Sequence, residues 1–220
     1  MINKFLIPTG YRDNLNFEAY VEHQYKNMII EYFRSYGFNL VKTPLIEYSE
    51  NLNKNTLKIQ TKRKKERLSL RNDITPQIIR LASSRLVRKK RPLKLCYYGE
   101  VVREYGSMLR PEKQFQQVGA EIIGSNNIKA DVEIITLAYE ALRKIGIRNI
   151  VIEISSSLFL TNFFKKIKDK KIITTLKKFI RLKDLNNCLR VLKSNKEKKE
   201  LKQIFKSSGY FKKVKSELKN

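Results

Sequence analysis

The stretch Leu93-Lys94-Leu95-Cys96-Tyr97-Tyr98-Gly99-Glu100-Val101-Val102-Arg103, followed across a loop by Gln114-Phe115-Gln116-Gln117-Val118-Gly119-Ala120-Glu121-Ile122-Ile123, decides the fold. Both segments are rich in β-branched and aromatic residues, and a loop holding Gly106, Arg110 and Pro111 separates them. They therefore read as an antiparallel strand pair. Strand alternation sends residues i and i+2 to the same face. It groups Tyr97, Gly99, Val101 and Arg103 on the first segment, and Phe115, Gln117, Gly119 and Glu121 on the second, with Gln116, Val118, Ala120 and Ile122 behind.

Working outward, residues 17–36 space Tyr20, Val21, Tyr25, Met28, Ile29, Tyr32 and Phe33 as the stripe of a buried helix, which Gly37 ends. Residues 40–47 read as an extended piece interrupted by Pro44, which suits an edge or an interface. Residues 57–61 and 67–75 flank the basic run 62–66 and predict a hairpin with a charged tip, and 76–88 are helical again. Downstream, 130–144 form an amphipathic helix with Asp131 and Glu133 near its positive end and Arg143 and Lys144 near its negative end. Gly146 stops it, and 150–154 read as a further strand. Beyond Ser155 the chain is lysine-rich and helical, with breaks near Asp169, Asp184, Asn195 and Gly209.

These elements lack regular βαβ alternation. The expected class is α+β, a largely antiparallel sheet flanked by helices, with a core over 1–155 and a small helical appendage over 156–220.

At 220 residues with 41% hydrophobic content the chain is long enough to bury a real core. No apolar run approaches the roughly 20 residues that span a bilayer, and residues 1–10 do not read as a signal peptide, so a cytoplasmic location is expected. Cys96 and Cys188 lie far apart without metal-type spacing and are expected as reduced thiols. His23 falls in the first helix with no partner for a metal, and no Gly-rich phosphate loop, HExxH or GxSxG motif occurs. No cofactor or metal is implied.

The formal charge of +26 invites a nucleic-acid reading. Residues 156–220 hold 20 Lys and Arg against 5 Asp and Glu. The excess is mostly lysine scattered among Asn and Ile, so a solvated basic surface is favoured over a nucleic-acid partner.

Polar residues also stand where a sheet should pack apolar ones. In Leu70-Arg71-Asn72-Asp73-Ile74-Thr75-Pro76-Gln77, extended alternation gathers Arg71, Asp73 and Thr75 on one side. Sharing a sheet face with Gln117 and Glu121, they would build a floor of two carboxylates, an amide, a hydroxyl and a guanidinium, with glycines leaving room above. Such a floor suits a small zwitterion, whose ammonium meets carboxylates and whose acid group meets arginine. Alternation alone leaves a set of structural ion pairs equally open.

The same residues carry a family resemblance. The run from Leu70 to Gln77 is similar to the Leu-Arg-Pro-Glu-Gly-Thr segment of histidyl-tRNA synthetases, and more so to the Asp-x-Thr-Pro-Gln form in the regulatory subunit of ATP phosphoribosyltransferase. Tyr98-Gly99-Glu100-Val101-Val102-Arg103 with Gln114-Phe115-Gln116-Gln117-Val118-Gly119-Ala120-Glu121 resembles class II motif 2. Pro8-Thr9-Gly10-Tyr11-Arg12-Asp13 resembles the family's opening. Tyr36-Gly37-Phe38 with Thr43-Pro44-Leu45-Ile46-Glu47 resembles the dimer-forming motif 1. Ala130-Asp131-Val132-Glu133 and Arg181-Leu182-Lys183-Asp184-Leu185 continue the likeness, which covers most of the chain.

The resemblance implies a class II synthetase-like core, expected to be incomplete because the chain stops inside the helical insertion. It implies that Asp73, Thr75, Gln117 and Glu121 line a histidine pocket and that Arg103 is the motif 2 arginine on its carboxylate side. It also implies departures. Tyr105 stands in place of the ATP-contacting glutamate, Glu112 and Lys113 replace a Tyr-Arg pair, and the Gly-rich motif 3 with its arginine is absent. Without that cation an aminoacyl adenylate should not form.

The implied function is therefore a non-catalytic regulatory subunit acting with a short-form ATP phosphoribosyltransferase catalytic subunit in histidine biosynthesis. Histidine is its implied effector, and self-association is expected through the motif 1-like region. The rival readings are a divergent or fragmentary histidyl-tRNA synthetase and an RNA-associated synthetase paralogue.

Overall fold

A computed structural model describes residues 6–52, 55–62, 66–106, 108–109, 111–207, 209–210 and 214. The expected hairpin tip at 63–65 and Arg110 lie outside the described residues. By its contacts the chain forms two compact units that divide between Ile150 and Val151, five residues before the change in composition at Ser155.

In the first unit, β5 (Leu93–Val102) and β6 (Gln114–Ile123) pair antiparallel through ten consecutive positions, from Leu93 opposite Ile123 to Val102 opposite Gln114. The short β1 (Asn39–Val41) lies parallel on the other side of β5, giving the order β1-β5-β6. A second small antiparallel sheet, in the order β2-β4-β3, holds β2 (Ile46–Tyr48), β3 (Lys58–Ile59) and β4 (Leu68–Leu70). The segment read as one extended piece around Pro44 is thus two strands in different sheets. Pro44 has no amide hydrogen for a ladder and sits where the chain leaves one sheet for the other.

Alternation along β5 divides the core. Cys96, with Tyr98 beside it, faces α1 (Asn16–Ser35) and α3 (Ile128–Lys144) in a cluster with Ile30, Phe33, Phe38, Leu137 and Ala141. Leu95, Tyr97 and Val101 face the opposite side, where Ile74 and Ile78 cover them from the start of α2 (Thr75–Ser83). Helices on one face of the sheet and a turn plus α2 on the other sandwich the polar row of β6 between apolar layers.

The helix ends follow from local chemistry. Gly37, at φ +81°, lets the chain turn left-handed after α1, so its amide donates to the Arg34 carbonyl (2.9 Å) and that of Phe38 to Phe33 (3.2 Å). The Phe33 and Phe38 rings then pack at 6.3 Å, which completes the hydrophobic contact of this cap. At α3 the Asn127 side chain accepts from the Lys129 amide.

The second unit holds α4 (Leu158–Lys165), α5 (Lys170–Arg181), α6 (Leu185–Val191) and α7 (Asn195–Lys206) around Phe163, Ile167, Leu176, Cys188, Leu192 and Leu201. Asp169 caps α5 by accepting from the Lys171 and Ile172 amides, and Asp184 caps α6 by accepting from Asn187. No helix among the described residues is long and apolar enough to cross a membrane.

Four expectations need correction. Residues 150–154 are extended but have no ladder partner among the described residues. Val151 is 92% exposed and Ile154 76%, and β propensity without a neighbouring strand makes no strand. Residues 71–74 form a turn rather than a continuing strand, because the chain enters α2 at Thr75. That helix ends at Ser83, short of Arg88. On α1, Tyr20, Tyr25 and Met28 are exposed and the buried face is Ile30 with Phe33. The stripe had the right period and was rotated by part of a turn.

Ile78 is fully buried between α2 and β5. Ile78→Ala should cost about 2–5 kcal/mol through the transfer and cavity terms, read as a lowered urea midpoint.

Candidate functional site

The site is built where the turn before α2 meets the face of β6. Asp73 Oδ1 accepts the Thr75 amide (3.1 Å), folding the chain so that Thr75 can begin the helix. Gln117 then grips this turn from β6: its Nε2 donates to Asp73 Oδ1 (2.9 Å) and its Oε1 accepts the Ile74 amide (2.9 Å). A side-chain amide carries a donor and an acceptor side by side, so it can satisfy both groups at once. Two same-face positions further along β6, Thr75 Oγ1 donates to Glu121 Oε1 (3.0 Å).

Tyr97 completes the group. Its hydroxyl lies 3.0 Å from Thr75 Oγ1 and donates to Glu121 Oε1 (3.2 Å). The ring lies against Gly119, its partner in register, where an added Cβ would come within 2.5 Å of the phenol carbon and oxygen. Burial, opposed by the Thr75 hydrogen bond and reinforced by the nearby Glu121 and Asp73 carboxylates, pushes the Tyr97 phenol up to about 12.

Four of the five expected residues, Asp73, Thr75, Gln117 and Glu121, thus belong to one connected network. Arg103 does not join it. It stands at the end of β5 on the same sheet face, with its guanidinium 4.8 Å over the Phe115 ring and its amide donating to the Lys113 carbonyl (2.7 Å).

Two further expectations are corrected. The glycines do not open room for a ligand, since Gly119 admits the Tyr97 ring and Gly99 admits the Arg71 guanidinium. Nor does Arg71, which rests over Gly99 on this face, hydrogen-bond to any of these five side chains. It is 5% exposed and points into the interior between the sheets. Tyr97 was placed on this face by alternation but not among the site residues. Its hydroxyl becomes informative only once Thr75 is known to reach over the sheet.

The arrangement gathers two carboxylates, two hydroxyls and an amide within a few ångströms. It is an acceptor-rich surface without a cation of its own among these five side chains. No cluster of His, Cys, Asp or Glu suited to a metal ion occurs among the described residues. Clefts of about 430 and 540 Å³ lie elsewhere, sharing Arg12, Asn14 and Glu22. The first runs past Gln116 and Val118 on the other face of β6.

A mixed sheet built around one long antiparallel pair, with helices behind and the polar network in front, defines a class II synthetase-like core. The chain belongs to the histidyl-tRNA synthetase family, whose model, described by that name, matches residues 10–220.

Its similar curated relatives are ATP phosphoribosyltransferase regulatory subunits. That of Paramagnetospirillum magneticum is 38% identical over 66% of this chain and 40% of its own length. The Rhodospirillum centenum protein is 36% identical over 68% and 41%. The Caldanaerobacter subterraneus protein is 28% identical over 96% and 59%. The chain thus spans between 40% and 59% of the length of these relatives.

Among solved structures, an ATP phosphoribosyltransferase regulatory subunit/histidyl-tRNA synthetase from Bacillus halodurans superposes with a TM-score of 0.84 at 23% identity. It covers 98% of this chain and 59% of that one. Histidyl-tRNA synthetase from Nostoc gives 0.76 at 20% identity, covering 100% and 52%. At these identities the likeness establishes the fold.

A phenol whose folded value is raised contributes stability below its ordinary value of 10.0 and loses that contribution as pH rises toward about 12, because the unfolded chain releases the proton first. Tyr97→Phe should therefore flatten the fall in stability across this window relative to the unaltered chain, measured as urea midpoints at a series of pH values. Tyr32, which burial also raises to about 12, titrates in both proteins and leaves a residual slope.

Proposed function

We propose that this chain is a non-catalytic regulatory subunit of ATP phosphoribosyltransferase, supporting the first step of histidine biosynthesis and relaying histidine feedback to a short-form catalytic subunit. The observation that carries the reading is the Asp73–Gln117 and Thr75–Glu121 pairing, which holds one carboxylate in the turn and one on β6 in a single network. A ligand ammonium can donate to both carboxylates, and charge-assisted hydrogen bonds are the strong ones. Arg103, at the far end of the same face, is the candidate for the ligand's acid group.

The names of the curated relatives support regulation over synthesis. So, by the resemblance, do Tyr105, which stands in place of the ATP-contacting glutamate, and Glu112 and Lys113, which replace a Tyr-Arg pair. Feedback requires that histidine bind one assembly state more tightly than another, since a ligand shifts an equilibrium only by its differential affinity. The motif 1-like region is the proposed surface for self-association, and Leu40, Leu45, Ile46 and Tyr48 expose apolar area there. Free, buried Cys96 and Cys188 accord with a reducing cytoplasm.

The test is co-purification with a short-form transferase, followed by histidine titration of its activity. Asp73→Ala or Glu121→Ala should weaken histidine binding roughly 10- to 150-fold, the range for losing a charged hydrogen-bond partner. Full histidine sensitivity in both variants would remove these residues from the sensing role. Histidine-dependent exchange of ATP and pyrophosphate by the chain alone would favour a synthetase instead.

A further inference from the structure

Two residues before Asp73, the Arg71 guanidinium is buried. Arg71 Nε donates to the Glu100 carbonyl on β5 (2.7 Å). Its Nη1 meets the Thr43 carbonyl (3.0 Å), Thr43 Oγ1 (2.9 Å), Gln77 Oε1 (3.3 Å) and the Pro44 carbonyl (3.4 Å). These five acceptors are neutral oxygens. Burial lowers the pKa of the guanidinium, with the Glu100 charge raising it in part, and a charge so placed costs free energy unless its geometry serves something specific.

The main chain at the same residue is tied as firmly. The Arg71 amide donates to the Leu45 carbonyl (3.0 Å), and its carbonyl accepts from the Val102 amide (2.8 Å). One residue thereby joins β5, the connection between the two sheets and, through the fully buried Gln77, helix α2. Gln77 is held in turn, donating to the Pro44 carbonyl (2.8 Å) and accepting from Thr43 Oγ1 (2.8 Å).

The height of this anchor over the sheet is set by Gly99. An added Cβ there would lie 2.0 Å from Arg71 Nη2, so the guanidinium rests directly on the strand backbone. Gly99 is the register partner of Gln117, the residue that grips the Asp73 turn. Distance from Arg71 to Asp73 is two residues of chain, too short to absorb a shift of the anchor.

We infer, resting on the histidine-pocket reading above, that Arg71 is the positioning residue of the site. Its clamp between β5 and the Thr43–Pro44 connection fixes the Asp73-Ile74-Thr75 turn at the height where Gln117 and Glu121 can meet it. Arg71 touches no ligand. It acts on binding through Asp73 and Thr75, and it does so in the empty protein as well as the occupied one.

The experiment uses the full chain with Arg71→Lys, which keeps the charge and loses the fork, and Thr43→Val, a gentler change that removes one acceptor behind the guanidinium. Native-state hydrogen exchange is read at the Ile74 and Thr75 amides and, as reference, at amides inside α1. Positioning predicts at least a ten-fold loss of protection at Ile74 and Thr75 in both variants, with α1 unchanged. It also predicts weaker histidine binding, an effect that disappears when the same changes are made in an Asp73→Ala chain.

Unaltered protection at Ile74 in the folded variants would overturn the assignment. So would a loss spread equally over α1 and the turn, which is what a merely structural arginine would give. If Arg71→Lys does not fold, Thr43→Val decides by the same ratio. A wild-type chain that binds no histidine would sink the pocket reading alone, and the exchange ratio would still judge the positioning.

Discussion

Ten uninterrupted antiparallel pairs between β5 and β6 fix which side chains share a face, and the remaining structure is arranged around that constraint. With period two and no bulge in the register, Gln117, Gly119 and Glu121 must lie in a row, and Gly99 and Tyr97 must lie beside the first two. A shift of one residue would turn the polar row toward α1 and α3 and put Val118 and Ala120 beneath α2. The apolar clusters on the two faces oppose that shift, because each buries residues from alternate positions of the same strand.

Onto this fixed row the chain lays a turn whose own hydrogen bonding is incomplete. The amides of Ile74 and Thr75 need acceptors at the start of α2, and Ile74, in the capping position, offers no polar side chain. Gln117 and Asp73 supply what is missing. The same contacts that cap the helix therefore bring Asp73 and Thr75 over the sheet, so that helix initiation and assembly of the site are one event.

Much of this was legible in the sequence. The β5–β6 pair, its facing residues, and the helices α1 and α3 followed from alternation, periodicity and the stopping glycines. Four members of the polar network were picked out by resemblance, and two of them, Gln117 and Glu121, by their place on one face. What was not legible depended on neighbours remote in sequence. Arg71 alternates with Asp73 and Thr75 on paper, yet the turn at 72–74 breaks the strand period and sends the guanidinium inward. Glycines 99 and 119 signalled close approach correctly but not the approaching group, which is a side chain of the protein itself. Residues 150–154 have the composition of a strand, and composition says nothing about whether a neighbour is there to pair with them.

The helical second unit carries its own constraint. Residues 156–220 include five acidic residues, and two of these, Asp169 and Asp184, are spent on helix N-caps amid twenty Lys and Arg. Hydrogen bonds from the Asn187 amide and side chain hold Asp184 below the usual carboxylate range, so its contribution is present near neutrality and lost as pH falls through that lowered value. Acid that reaches that lowered value does two things to α6 at once: it strips the starting turn and removes one of the few countercharges within a cationic shell. The start of α6 is therefore held through mild acid and gives way only where ordinary carboxylates have already taken up their protons.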